Sequence, residues 1–226
     1  MFEHHKEKKA HERAQAELAH AQAALAEWQN TRDAQAELVR IARTYTGEHA
    51  CDGLVLKRGE SLFATVAGAG LIEERRGQGH YVGGSSGISV PIGSLDGHAI
   101  RYRVGATRGH YEQAPPVPTA IDSGTVYVTD QRVVFTGARP TRECAYAKLP
   151  STHFDADGSC TLAVSNRQNP TVLHYGPTLN GWFAFRVELA LAHYRDATAE
   201  FVAGLQQELD ELDQHKPVLP DFQPSS

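Results

Sequence analysis

The 226-residue chain contains three cysteines, Cys51, Cys144 and Cys160. Their odd number and wide spacing exclude a disulfide framework and a CxxC zinc site, and a reducing cytoplasm is the expected home. No apolar run reaches about eighteen residues, so no segment reads as a membrane-spanning helix. The opening MFEHHKEKKAHERAQ has basic residues but no apolar stretch behind them, so no secretory signal is legible. The twelve histidines form no HxxxH or HExxH pattern, and any metal site would have to assemble from dispersed positions. No metal and no cofactor is expected. Nor is any block strongly basic, which argues against nucleic acid as a partner. The net charge of −5 comes wholly from residues 181–226, where three Lys/Arg face eight Asp/Glu.

Glycine and proline are absent before Gly47. That first segment, residues 1–46, is rich in strong helix formers and reads as a helical arm. Ala14, Leu18, Ala21, Leu25 and Trp28 form a narrow stripe at 4-3-4-3 spacing, a possible coiled-coil seam. Leu38, Ile41 and Tyr45 resume it in a shifted phase, so Asn30–Asp33 is expected to hold a stutter or a break between two helices. So little apolar surface calls for a partner, within the chain or from another chain.

From about residue 50 the helical period vanishes and glycine becomes frequent. SLFATV, GISVPIG, HAIRYRVG, GTVYVT, RVVFTG, TLAVSN and TVLHYG are short strand candidates with turn residues between them. ATRGHYEQAPPVPTAIDS, with three prolines, is expected to be a surface loop. NGWFAFRVELALAHYRDATAEFVAGLQQELDEL returns to a helical period and is expected to lie on the sheet and then extend as an acidic-faced stripe. The boundaries that follow are a helical arm over 1–46, a β-rich domain with its closing helix over 50–213, and a proline-rich disordered tail over 214–226.

A meander of short strands closed by an amphipathic helix is how a partly open barrel covers its frayed end. Two stretches add a resemblance. GTVYVTDQRVVFTG, Gly124 to Gly137, resembles the glycine–strand–Thr-Asp–Arg–strand–glycine hairpin of GRAM and bacterial pleckstrin-homology (PH)-like domains. LKRGESLFA, Leu56 to Ala64, resembles the LKxGE opening of such domains. The wider pattern over about residues 54–195 is similar to a family of uncharacterised actinobacterial proteins. The resemblance implies an α+β fold: a PH-like, GRAM-like partly open β-barrel capped by a C-terminal helix, behind a long N-terminal arm. It implies a binding role and carries over no catalytic residues.

Several residues invite a sharper reading. PH-like domains that bind phosphoinositides use basic residues at loop mouths. Arg75 and Arg76 precede a glycine-rich stretch with His80, and Arg101 and Arg103 share one strand face two residues apart. Arg108, Arg139, Arg142 and Lys148 are further cations. Arginine suits a phosphate headgroup, but Glu73 and Glu74 flank the first pair, and a solvated strand face is the commoner meaning of such residues. Ser85 in GGSSG formally matches GxSxG, yet that elbow needs a following helix; here ISVPIG follows, and a flexible loop is expected. Asp155–Gly158 lacks the remaining calcium-loop ligands and reads as a hairpin turn. Asp130 and Arg132 are expected to brace the hairpin turn.

The expectation is therefore a non-enzymatic scaffold acting through protein or peptide contacts, its arm serving oligomerisation or partner docking. The alternative is a peripheral module at the inner face of the membrane, binding anionic lipid through Arg75, Arg76, Arg101 and Arg103. A serine hydrolase using Ser85 is the weakest alternative.

Overall fold

The computed structural model describes the backbone of residues 2–75, 80–95, 98–112, 117–139 and 141–220. It describes the side chains of residues 9, 12–75, 117–139 and 141–220. Helix α1 (Phe2–Thr44) leads into nine strands: β1 (Leu62–Arg75), β2 (His80–Leu95), β3 (His98–Glu112), β4 (Val117–Thr129), β5 (Arg132–Gly137), β6 (Thr141–Ala145), β7 (Ser151–Asp155), β8 (Ser159–Ala163) and β9 (Thr171–His174). Helices α2 (Asn180–Tyr194) and α3 (Thr198–Gln214) follow. The class is α+β. Seven strands form one antiparallel sheet in the order β6-β5-β4-β1-β9-β8-β7, which is not closed into a barrel.

The hairpin β4–β5 forms as its alternation requires, with Val126 opposite Phe135 and Val128 opposite Val133. These four side chains are buried with Leu71, Leu162 and Leu173 in one core, closed by Phe183, Val187 and Leu189 of α2. Gly124 and Gly137 stand opposite each other. A Cβ on Gly124 would lie 2.0 Å from the Thr136 carbonyl oxygen, so only glycine fits there.

Strands β2 and β3 form a separate two-stranded sheet, inserted between β1 and β4. ATRGHYEQAPPVPTAIDS, expected as a loop, is strand in β3 as far as Glu112 and again in β4 from Val117. Residues 113–116 lie outside the described residues. GGSSG, expected as a flexible loop, lies within β2. The ribbon has a register irregularity between Pro91 and Gly93, and proline is tolerated there because both strands are edge strands.

Helix α1 is continuous, with no break at Asn30–Asp33. The 4-3-4-3 spacing carries on through Arg32, Gln35, Val39 and Ala42, and Leu38, Ile41 and Tyr45, in the shifted phase, pack against the core beside it. Arg32 and Gln35 are polar seam members whose partners lie on α3, Arg32 Nε bonding Asp213 at 2.8 Å and Gln35 Nε2 bonding Glu208 at 2.9 Å. Val39 and Ala42 are buried. Trp28 Nε1 donates to the Leu212 carbonyl and Arg43 to Gln206, so α1 and α3 run antiparallel. Because α3 ends at Gln214, beside Trp28 and Arg32, the segment Ala14–Leu25 runs past it.

The closing helix, read as one, is two. It breaks at Asp196, whose φ of 56° is left-handed, a conformation an aspartate tolerates better than most residues. The break turns α3 off the sheet and onto α1. Of the tail, residues 221–226 lie outside the described residues.

Candidate functional site

The sequence-expected cations do not form a described cluster. Arg75 ends β1 opposite Val117, exposed. Arg76 lies outside the described residues. The backbones of Arg101 and Arg103 are in β3, opposite Pro91 and Ser89, on the two-stranded ribbon and not on the sheet that carries Arg75. Their side chains lie outside the described ones, as does that of Arg108. Arg142 is ion-paired to Glu73. Ser85 sits inside β2 opposite Thr107, with strand on either side of it and no strand-to-helix elbow. Among the described residues no three His, Cys, Asp or Glu gather as metal ligands would.

The hairpin turn is braced more strongly than the sequence conveys. Arg132 Nε and Nη2 donate to the two carboxylate oxygens of Glu60 at 2.7 and 3.0 Å, and Nη1 donates to Glu143. Thr129 Oγ1 donates to Glu60 and accepts from the amides of Gln131 and Arg132. Asp130 accepts the Ser61 amide. Burial pushes the Glu60 carboxyl up, but the bonds from Arg132, the Lys57 amide and Thr129 outweigh it and leave the group below its ordinary range. The guanidinium nitrogens of Arg132 and both carboxylate oxygens of Glu60 are all hydrogen-bonded within the protein, which makes this a bracing constellation.

Two open cavities are found among the described residues. The larger, about 420 Å³, is lined by Glu73, Arg142 and the Arg167–Thr171 loop. Its cations are already engaged: Arg142 holds Glu73, and Arg167 donates to Thr171 and to the Glu143 carbonyl.

The other, about 290 Å³, is built differently. Past Thr44 the chain turns at Gly47, whose φ is +88° and whose Cβ would meet Ser61 and Phe63. Glu48 then pairs with Leu62 through both backbone bonds, each 2.8 Å. On that flank of β1 the next strand partner is His174 of β9, opposite Gly70. Between Leu62 and Gly70 β1 therefore has no strand beside it, among the described residues, on the flank away from β4. The gap arises because the chain after His174 leaves the sheet for α2 instead of continuing along β1. In the gap Thr65, Ala67 and Gly68 are exposed while Ala64, Val66 and Ala69 are buried.

α2 overhangs this gap. It buries Phe183, Phe185, Val187, Leu189 and Ala190 and leaves Trp182 and Arg186, one turn apart, facing the opening. The Arg186 guanidinium carbon lies 4.5 Å from the Tyr45 ring centre and 5.7 Å from that of Trp182. Tyr45 is fixed by its hydroxyl bond to the Leu62 carbonyl and by edge contact with Phe63. Burial and the Glu48 carboxylate raise the Tyr45 phenol above its ordinary value, with Arg186 acting against them. Arg186 Nε and Nη1 are buried with no hydrogen-bond partner, and no described carboxylate lies within ion-pair distance of the guanidinium. A cation held between two aromatic faces is stabilised by them, but its N–H groups still require acceptors. An anionic acceptor is the chemistry that would complement these donors.

Sequence reading missed Arg186. The signal was there: GWFAFRVELALAHY is nearly all apolar before Glu188, and a lone arginine inside such a helix must find a partner. Compared with protein-family models, with curated proteins and with solved structures, the chain matches none.

Proposed function

We propose that the chain is a non-enzymatic binding module of PH/GRAM-like type, acting through protein or peptide contacts. The observation that carries this reading is the gap in the ladder beside β1. An unpaired strand edge is a template for an extended segment, and this one lies next to an arginine with unsatisfied donors. The PH/GRAM-like assignment draws support from seven antiparallel strands followed by a helix laid over the sheet. The helical arm serves oligomerisation or partner docking, since Ala14, Leu18, Ala21 and Leu25 run past the end of α3.

The test is selection of random octapeptides displayed on phage against the immobilised full chain. Recovery of a binding sequence family supports the reading, and a failure to enrich any peptide removes it. Sedimentation velocity of Leu18→Glu/Leu25→Glu beside the wild type tests the arm; identical sedimentation at high micromolar concentration excludes self-association through it.

A second reading is a peripheral module for anionic lipid. What favours it is the placement of Arg101 and Arg103 two residues apart on β3. Co-sedimentation with liposomes, with and without anionic lipid at low and physiological salt, decides it: binding through these arginines needs the anionic lipid and fades with salt.

A further inference from the structure

We infer that the cleft between β1 and α2 takes an extended peptide as an added strand along Ala64–Ala67, and that a carboxylate of that peptide docks on Arg186. This rests on the binding reading above and names its ligand.

Three observations converge. First, the free edge is bounded at one end by the Glu48–Leu62 bridge and at the other by the β9 pairing at Gly70. That length suits about four added residues at some 3.4 Å each. The bulge at Gly68, with φ of +75°, closes the slot by bending the edge away.

Second, Arg186 is the only described cation in the cavity lining. Its Nε and Nη1 have no partner, and a buried donor left unbonded is costly. A carboxylate bridging Nη2 and one neighbouring nitrogen would satisfy one of the two unbonded donors in the two-point manner arginine favours.

Third, the walls select among anions. Tyr45 and Trp182 flank the guanidinium, and Trp182 is 41% exposed, free to cover an incoming side chain. Glu48 lines the same cavity, and its charge penalises a doubly charged group more than a single carboxylate. Acidic side chains within an otherwise β-forming peptide therefore fit best.

The experiment takes the octapeptides recovered on the full chain and measures their binding to wild type, Arg186→Gln and Arg186→Lys by fluorescence anisotropy. The expected result is an Asp or Glu at one fixed position among β-branched residues. Affinity then falls roughly tenfold to a hundredfold in Arg186→Gln, and by a similar factor when that acid becomes its amide. In 15N-labelled protein the amides of Ala64–Ala67 and the Arg186 Nε–H shift on peptide addition. Recovered peptides whose affinity does not change in Arg186→Gln overturn this inference and leave the binding reading standing. No recovered peptide overturns both. Peptides displaced by millimolar inorganic phosphate but not by acetate overturn the choice of carboxylate. If Arg186→Gln does not fold, Trp182→Ala, at an exposed position, serves instead: unchanged affinity there and unshifted β1 amides reject the cleft.

Discussion

Glu60 and Arg132, 72 residues apart in the chain, hold each other by two hydrogen bonds inside the protein. One stands just before β1, and the other opens β5. The pair locks the start of the first strand to the hairpin turn, and both side chains are almost wholly buried, at 0% and 8% exposure.

Removing one member leaves the other charged and unpaired. Arg132→Met is expected to lower stability by about 3–5 kcal/mol, and Glu60→Leu in that background to recover part of the loss. Urea unfolding of the two single variants and the double variant measures the coupling.

The same pair sets an acid limit. The Glu60 carboxyl lies below its ordinary value of 4.5 in the folded protein, so its contribution is complete above that value and is lost as pH falls through the depressed one. Thermal melts from pH 6 to pH 3 should show a steeper decline for wild type than for Glu60→Gln.

Two glycines should respond oppositely to alanine. Gly124→Ala meets backbone at 2.0 Å and is expected to cost 2 kcal/mol or more, by roughly the scale of core overpacking. Gly204, within α3 and with nothing within 4 Å of its Cβ position, should gain about 0.5–1 kcal/mol as alanine. Urea midpoints compare them directly.

Tyr146 has a buried hydroxyl with no partner, and burial raises its phenol far above the ordinary range. Tyr146→Phe removes the orphaned group and keeps the ring contact with Tyr194. Its stability should equal that of wild type or exceed it by about 1 kcal/mol. A loss of more than that would mean the hydroxyl is bonded.

Thiol titration should separate the cysteines. Cys144 and Cys160 are buried, and burial raises both thiols, Cys160 to about 12. Only Cys51 should react with a disulfide reagent in the native protein at pH 8, and the other two on unfolding.

The hairpin was legible because alternation, a polar turn and flanking glycines all point the same way in adjacent residues. The α1 seam was legible in its first half only. Arg32 and Gln35 occupy seam positions, and hydropathy alone reads polar seam members as a break; their partners, Asp213 and Glu208, lie over 170 residues away. The ribbon β2–β3 was half visible, since GISVPIG and HAIRYRVG alternate, but GGSSG and its glycine-rich partner carry no side-chain signal for strand. The cleft could not be read at all from one segment. It exists because β9 pairs with only three residues of β1, and pairing length is a property of tertiary geometry. Arg186 announced itself by composition, yet Tyr45 and Glu48 reach it only through the fold.

Arg75 and Val117 are cross-strand neighbours at the last paired position of β1 and β4, so everything between them leaves and re-enters the sheet at a single point. A short turn joining these two residues would complete the same seven-stranded fold. The intervening segment is thus a cassette: evolution could lengthen, exchange or delete it while the pairing of β1 with β4 stays in register, and a protein engineer could graft a foreign hairpin onto the same port.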